Sequence, residues 1–328
     1  MTGMRASIAP FAVHGGRIEL ARARFPGGAG WIDLSTGISP WAYSFSVDAG
    51  ALLRLPEPGA LAGLEQAAAA VFGSVPAETV AVPGSDLALR LVGQLAGART
   101  PAVVGPGYSG HRAMWDDAAM LADVPETGHD AVVLARPNNP DGRMIDFDLL
   151  AGAARRLAAL GGWLVVDEAF ADAGDEASIA SLGWPGTIVL RSFGKFFGLA
   201  GLRLGFVIAP APMAAALRRL LGDWPVSGPA IAIGTAAYGD HAWQAAQRVR
   251  LADAAGRLDG LLTGAGLAVV GGTSCFRLVD TADAAGLFVR LAGHSILTRP
   301  FADDGRRLRI GLPVDEVAFA RLGVALGR

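Results

Sequence analysis

"RSFGKFFGLAG", residues Arg191–Gly201, sets one lysine, Lys195, among phenylalanines and glycines. Ser192 stands just before it and Arg203 soon after. An ammonium in so apolar a run costs free energy unless it has a partner or a task. The stretch closes the apolar run "TIVL", which reads as a short strand. Lys195 therefore falls where open α/β sheets bind ligands, beyond the carboxyl end of a strand.

The same pattern recurs on both sides. From about residue 79, "TVAVPG", "TPAVVGPG", "DAVVLARPNNP", "GWLVVDEAF", "TIVLRSFG" and "LGFVIAP" are short runs of Val, Ile, Leu and Ala. Continuous apolar strands of this kind are buried on both faces. Amphipathic stretches such as "SDLALRLVGQLAG" and "FDLLAGAARRLAALGG" lie between them. In the second, Phe147, Leu150, Ala154, Leu157 and Leu160 share one helical stripe, and Arg155 and Arg156 fall outside it. The alternation predicts an α/β fold with a mostly parallel sheet and helices on both faces. From about residue 213 a long helical region follows, broken at Pro225 and Pro229. "LAVVGG", "CFRLVD", "SILTRPF" and "LRIGLP" then read as strands of a second sheet. A last helix has Asp315 near its N-terminus. The expected organisation is an N-terminal arm over 1–40 that packs with the small domain, a large domain over 41–215, and linking helices with a small α+β domain over 216–328.

Composition narrows the function. The 328 residues suit one large domain plus a smaller one. A net charge of −2 offers no footprint for nucleic acid or an anionic membrane, so a small molecule is the expected partner. No run of about twenty apolar residues predicts a membrane span. "MTGMRASIAPFAVHGG" does not read as a secretory signal. The single cysteine, Cys275, can build neither an internal disulfide nor a cysteine metal cluster. It reads as a small buried residue in a reducing, cytoplasmic setting, and no metal site is expected.

Three further stretches make joint sense with Lys195. "VVDEAF" ends a strand at Asp167, "RPNNPDG" ends another at Asn139, and "VPGSD" opens a helix with Gly84, Ser85 and Asp86. Each has an ordinary explanation: Asp167 as an N-cap, "PNNPDG" as a turn, Tyr108 in "GPGYSG" as a loop aromatic, Lys195 as a surface lysine. Those explanations do not account for the shared order.

"PGSD", "GPGYSG", "PNNPDG", "VVDEAF", "SFGKFFGLAGLRLGF" and "LRIGLP", in this order, resemble the fold-type I pyridoxal-phosphate enzymes. The branch is the one that includes histidinol-phosphate aminotransferase, and the resemblance covers nearly the whole chain. It implies a mostly parallel seven-stranded sheet in a large domain, a small α+β domain, pyridoxal 5'-phosphate as cofactor, and a homodimer. It implies that Lys195 carries the cofactor covalently and that Asp167 pairs with the pyridine nitrogen. Asn139 would meet the ring's 3-oxygen and the substrate, and Tyr108 would stack on the ring. Gly84, Ser85, Asp86, Ser192 and Arg203 would hold the phosphate. An apolar setting favours the neutral amine that Lys195 needs.

Within that family three features resemble the threonine-phosphate decarboxylases of the cobalamin pathway. One is the opening "VHGGRIELARARFP" followed by "WIDLSTGISPWAY". Another is Phe170, where the aminotransferases usually have Tyr. The third is Asp141 in place of the commoner Thr. The implied reaction is decarboxylation of O-phospho-L-threonine to (R)-1-amino-2-propanol phosphate. Arg309 would grip the carboxylate as a bidentate pair, and Arg299 the carboxylate or the phosphate. His14, Gly15 and Gly16 would meet the phosphate. Ser39 stands where the group has Asn. Bland alternatives stay open: Arg299 and Arg309 as solvated charges on an edge strand, His14 as a turn cap, Arg306 and Arg307 as surface residues. The rival activity is a histidinol-phosphate or related class I/II aminotransferase. A non-catalytic regulatory module is disfavoured, because the first forty residues are too few and too weakly basic for a DNA-binding segment.

Overall fold

The computed structural model describes residues 8–26 and 30–328. The chain forms two compact units. One is 42–246; the other joins the described residues up to 41 with 247–328.

The larger unit holds a seven-stranded sheet. Its order is Thr79–Val82, Gly205–Ile208, Thr187–Ser192, Trp163–Asp167, Ala131–Ala135, Pro101–Val104, Ala119–Leu121. Gly205–Ile208 runs antiparallel to both neighbours, and every other pairing is parallel. This is the mostly parallel sheet expected. Every residue of Ala131–Ala135 is buried, which is why these strands are continuously apolar rather than alternating. Ala119–Leu121 escapes the sequence pattern because it is a three-residue edge strand without a fully buried position. On one face the helix Ser85–Ala96 packs Ala88, Leu89 and Val92 against Val103, Val133, Val165 and Leu190.

Local chemistry explains the helix limits. Asp146 caps Phe147–Ala159 by accepting from the N–H groups of Asp148 and Leu149. Leu150, Ala153, Ala154 and Leu157 are buried there, but Leu160 lies past the last turn and is exposed. Pro229 begins the helix Gly228–Gly239 instead of breaking one, with the Ser227 side chain accepting from Ala230 N–H. That helix packs against Pro58–Phe72, with Gly234 close upon Leu64. Residues 216–246 therefore group with the larger unit. The division falls at Gln247 inside the helix His241–Gly264, not at residue 215.

The smaller unit holds a four-stranded antiparallel sheet in the order Arg299–Pro300, Arg307–Gly311, Phe276–Asp280, Ala268–Thr273. "SILTRPF" divides between two sheets: Ile296–Leu297 pairs in parallel with Ile32–Asp33 of the arm, and Arg299–Pro300 joins the four-stranded sheet. Leu34 continues the arm's pairing, donating to Leu297 O and accepting from Gly311 N–H, both at 2.7 Å. Asp315 caps Glu316–Leu326 by accepting from Ala318 N–H at 2.8 Å. Cys275 is buried. Among the described residues no helix is long and apolar enough to cross a membrane.

Candidate active site

Lys195 sits in the four-residue helix Phe193–Phe196, directly after the strand Thr187–Ser192. One turn of helix is too short to hold itself; aromatic packing holds it. Phe193 and Phe197 stack at 4.3 Å, and Tyr238 meets their rings edge-on at 5.6 and 5.2 Å. Phe197 also stacks on Trp243 at 5.5 Å. The phenylalanines of the opening stretch are thus the floor beneath the amine. Lys195 Nζ lies 5.7 Å from the centroid of Phe170.

Asp167 ends the neighbouring strand and is buried. Its Oδ1 accepts from Ala169 N–H at 3.0 Å, and its Oδ2 lies 2.9 Å from His111 Nε2. His111 is completely buried, and its Nδ1 has no hydrogen-bond partner among the described residues. A carboxylate oxygen accepts, so the arrangement places a proton on Nε2, donating to Asp167. His111 follows Tyr108 by three residues in the segment Ser109–Arg112, and the two rings meet edge-to-face at 5.7 Å.

The Tyr108 hydroxyl donates to Asp86 Oδ1 at 2.9 Å. Burial first, then this hydrogen bond and the charge of Asp86, raises the phenol above its ordinary pKa, so it stays protonated. Arg90 holds Asp86 Oδ2 at 2.6 Å. The Asp86 carboxylate therefore orients Tyr108, and only its backbone N–H remains suited to an anion.

Gly84 precedes the helix Ser85–Ala96 with φ +95°, and a Cβ there would lie 2.6 Å from Arg203 Nη2. Only glycine fits both demands. Arg203 adopts φ 55° and donates from Nη1 to Ala200 O at 3.1 Å. Val82 and Ser192 both pair with Gly205 across three adjacent strands. That register gathers the helix start, Ser192 and Arg203 at one end of the sheet. A helix N-terminus, hydroxyls and a guanidinium together suit a phosphate.

Asn139 lies half-buried beyond the strand Ala131–Ala135, whose Ala135 pairs with Asp167. Its neighbour Asn138 builds the turn, donating to Pro106 O at 2.7 Å and Asp141 Oδ1 at 2.8 Å. Asp141 also accepts from Arg143 N–H at 2.9 Å, so it serves the turn.

In the smaller unit Arg299 and Arg309 are direct cross-strand partners, hence on one face. Both are buried, at 8 % and 3 % exposure, which excludes the solvated reading. Arg309 Nη2 donates to Ser35 O at 2.7 Å, and Arg299 Nη2 to Val13 O at 2.8 Å. Burial first, then the charge of Arg299, pushes the Arg309 guanidinium down to about 9, with Asp33 opposing. Two cations held opposite each other away from water are relieved by an anion.

The arm is shaped beside them. Gly16 N–H donates to Ser35 Oγ at 2.8 Å, and Ser35 Oγ donates to Asp33 Oδ1 at 2.5 Å. A Cβ at Gly15 would collide with the Ser35 carbonyl. His14 is exposed. Ser39 is buried; its hydroxyl donates to Trp41 O at 3.0 Å and accepts from Gln247 Nε2 at 2.7 Å. It is committed to the arm's own turn. Arg306 and Arg307 both pair with Asp280, Arg306 at the exposed surface and Arg307 half-buried.

The sequence pattern of the aminotransferase class I and II family matches residues 114–317. The chain belongs to this family. It is 42 % identical to a threonine-phosphate decarboxylase of Pseudomonas aeruginosa over 95 % of this chain and 96 % of that one. It is 41 % identical to a threonine-phosphate decarboxylase of a Sinorhizobium species over 96 % of this chain and 98 % of the relative. Its fold is similar to the crystal structure of histidinol-phosphate aminotransferase from Sinorhizobium meliloti in complex with pyridoxal-5'-phosphate. That likeness has a TM-score of 0.80 and 23 % identity, and covers 94 % of this chain and 93 % of that one.

The site of this class I and II family member contains one residue the sequence motifs did not mark, His111, whose role needs the fold to bring it to Asp167. A second signal was legible in composition. Lys195 is the sole lysine of the chain; arginine supplies the remaining cations of this kind. Arginine supplies charge at any exposed position but does not release its proton, so it cannot serve as a nucleophile. A chain that keeps one lysine keeps it where an amine is required. The residues of the larger unit fit pyridoxal phosphate: a cradle for its ester, a carboxylate for its nitrogen, an aromatic ring for its face and an amine for its aldehyde.

Proposed function

We propose that this protein is a pyridoxal-phosphate-dependent carboxy-lyase. It releases CO2 from O-phospho-L-threonine and leaves (R)-1-amino-2-propanol phosphate for cobalamin biosynthesis. The observation that carries the substrate is the 41–42 % identity to two threonine-phosphate decarboxylases over nearly the full chain. Phe170 supports the same reading, since it sets a ring without a hydroxyl 5.7 Å from Lys195 Nζ.

Bound pyridoxal phosphate supplies an electron sink for the pair left when a bond to the substrate's α-carbon breaks. The residues do the rest. Lys195 would carry the cofactor and, once freed and holding as an ammonium the proton given up by the substrate's amino group, would donate it from Nζ to the α-carbon in place of the departed CO2. Asp167, held in place by the His111 and Ala169 donors, would pair with the ring nitrogen. Tyr108, fixed by Asp86, would cover one ring face, and Asn139 would donate to the 3-oxygen. The N–H groups from Gly84 to Asp86, with Ser85, Ser192 and Arg203, would hold the cofactor's phosphate. Arg309 takes the substrate carboxylate, so that the carbon–carbon bond rather than the carbon–hydrogen bond is oriented for cleavage. Arg299 and the His14–Gly15–Gly16 segment take the substrate's phosphate.

The deciding assay offers O-phospho-L-threonine without any keto acid. Sustained CO2 release supports the lyase. Accumulation of the pyridoxamine form without CO2 supports an aminotransferase and refutes the proposal.

The protein acts as a homodimer in the cytoplasm, in this reading. Leu52, Leu53 and Leu55 are exposed by 74, 82 and 63 %, with Trp224 also exposed. Leu55 and Trp224 line one cleft of the larger unit. Surface of this kind suits burial against a second copy.

A further inference from the structure

Asp167 ends one strand and Lys195 follows its neighbour, and the ladder between those strands stops short of the amine. Its last rung pairs Asp167 with Leu190, and Glu168 N–H adds one bond to Leu190 O at 2.8 Å. Beyond it one segment enters the turn Ala171–Ala173, behind Phe170, and the other enters the helix Phe193–Phe196. A side chain ties them there. Arg191 Nη1 donates to Glu168 Oε2 at 2.8 Å, and Nη2 donates to Asp172 Oδ1. All three residues are buried. Glu168 is itself fixed, its Oε1 accepting from Ile179 N–H at 2.7 Å.

Side chains alternate along extended backbone, so Glu168 and Arg191 face away from Asp167 and Ser192. Arg191 Cζ lies 4.5 Å from the Phe72 ring centroid, among the aromatics that pack beneath Lys195. Burying two carboxylates and one guanidinium is no route to stability, because well-packed apolar residues of equal volume do as well or better. The arrangement does supply geometry. A planar guanidinium holds two carboxylates at fixed angles, which an ammonium does not. The adjoining Tyr238 phenol is raised above its ordinary pKa, by burial first and then by Asp172, so it stays neutral.

We propose that the buried Arg191–Glu168–Asp172 cluster is a positioning device that sets the placement of Lys195 and Phe170 relative to Asp167. This rests on the reading that Lys195 and Asp167 serve one cofactor. The cluster acts through backbone it braces, and none of its members touches substrate.

The test uses the full chain in three forms: wild type, Asp172→Asn, and the triple variant Arg191→Met, Glu168→Gln, Asp172→Asn. The triple variant keeps side-chain volume and removes every charge. The first readout is kcat against KM for CO2 release. The second needs no cofactor: in the apoprotein the pH dependence of acetylation by acetic anhydride, read by peptide mass spectrometry, reports Lys195 alone among the side-chain amines. The triple variant should fold and lose about ten- to a hundredfold in kcat, the scale of a sub-ångström misplacement, with KM within about twofold. Its Lys195 labelling midpoint should move by at least about half a pH unit. Asp172→Asn should shift both readouts less, and it decides alone if the triple variant does not fold. A folded variant with wild-type kcat and an unmoved midpoint overturns the proposal. Borohydride trapping of cofactor on wild-type Lys195 tests the underlying reading separately. Trapping without any effect of the variants fails the positioning role alone.

Discussion

Replacing His111 by Phe isolates a contact that the sequence motifs did not announce. The wild-type side chain is completely buried and donates from Nε2 to Asp167 Oδ2 at 2.9 Å. A hydrogen bond to a charged group contributes about 1.5–3 kcal/mol, and a buried acceptor left unmet costs about 1–3 kcal/mol. Phenylalanine fills the volume, so the loss is mainly polar. Asp167 would keep one donor, Ala169 N–H at 3.0 Å. If the lost energy falls on the pairing between Asp167 and the cofactor nitrogen, it corresponds to about a ten- to hundredfold fall in kcat, at about 1.4 kcal/mol per decade. KM should stay within about twofold, since neither residue is assigned to the substrate's anions. His111→Gln, which can still donate from Nε2, should recover part of the loss. The assay is CO2 release from O-phospho-L-threonine at saturating cofactor, with circular dichroism as the check on folding. A folded His111→Phe protein with kcat within about twofold of wild type would refute the argument, and so would a Gln variant no better than Phe.

Two further outcomes follow from the smaller unit and the exposed leucines. Arg309 is buried opposite the charge of Arg299, and an anion relieves both, so Arg309→Met should weaken binding of a phosphorylated amino acid at least about tenfold; calorimetry showing unchanged affinity would contradict it. Leu53→Glu with Trp224→Glu should turn a dimer into monomers with little loss of secondary structure; sedimentation that finds wild type monomeric at micromolar concentration removes the dimer reading.

Much of the larger unit was legible in order along the chain, because strands buried on both faces must be apolar throughout and glycines must stand where a Cβ would collide. The six short apolar runs are six of the seven strands, Gly84 takes a positive φ, and Gly205 sits where the backbone at the helix start leaves no room. Lys195 was marked by its surroundings, and its being the sole lysine marks it again. What local sequence did not carry was contact across long separations. Nothing near His111 announces Asp167, 56 residues away. Nothing near Arg309 says that Arg299 lies opposite it or that Ser35 of the arm receives its hydrogen bond. Ser39 looked like a substituted ligand position and is instead bound by Gln247, 208 residues on. Motif and periodicity record what each segment must bury by itself. Only tertiary structure decides which polar groups meet once it is buried, because in a dry interior each must find its partner wherever the fold brings one.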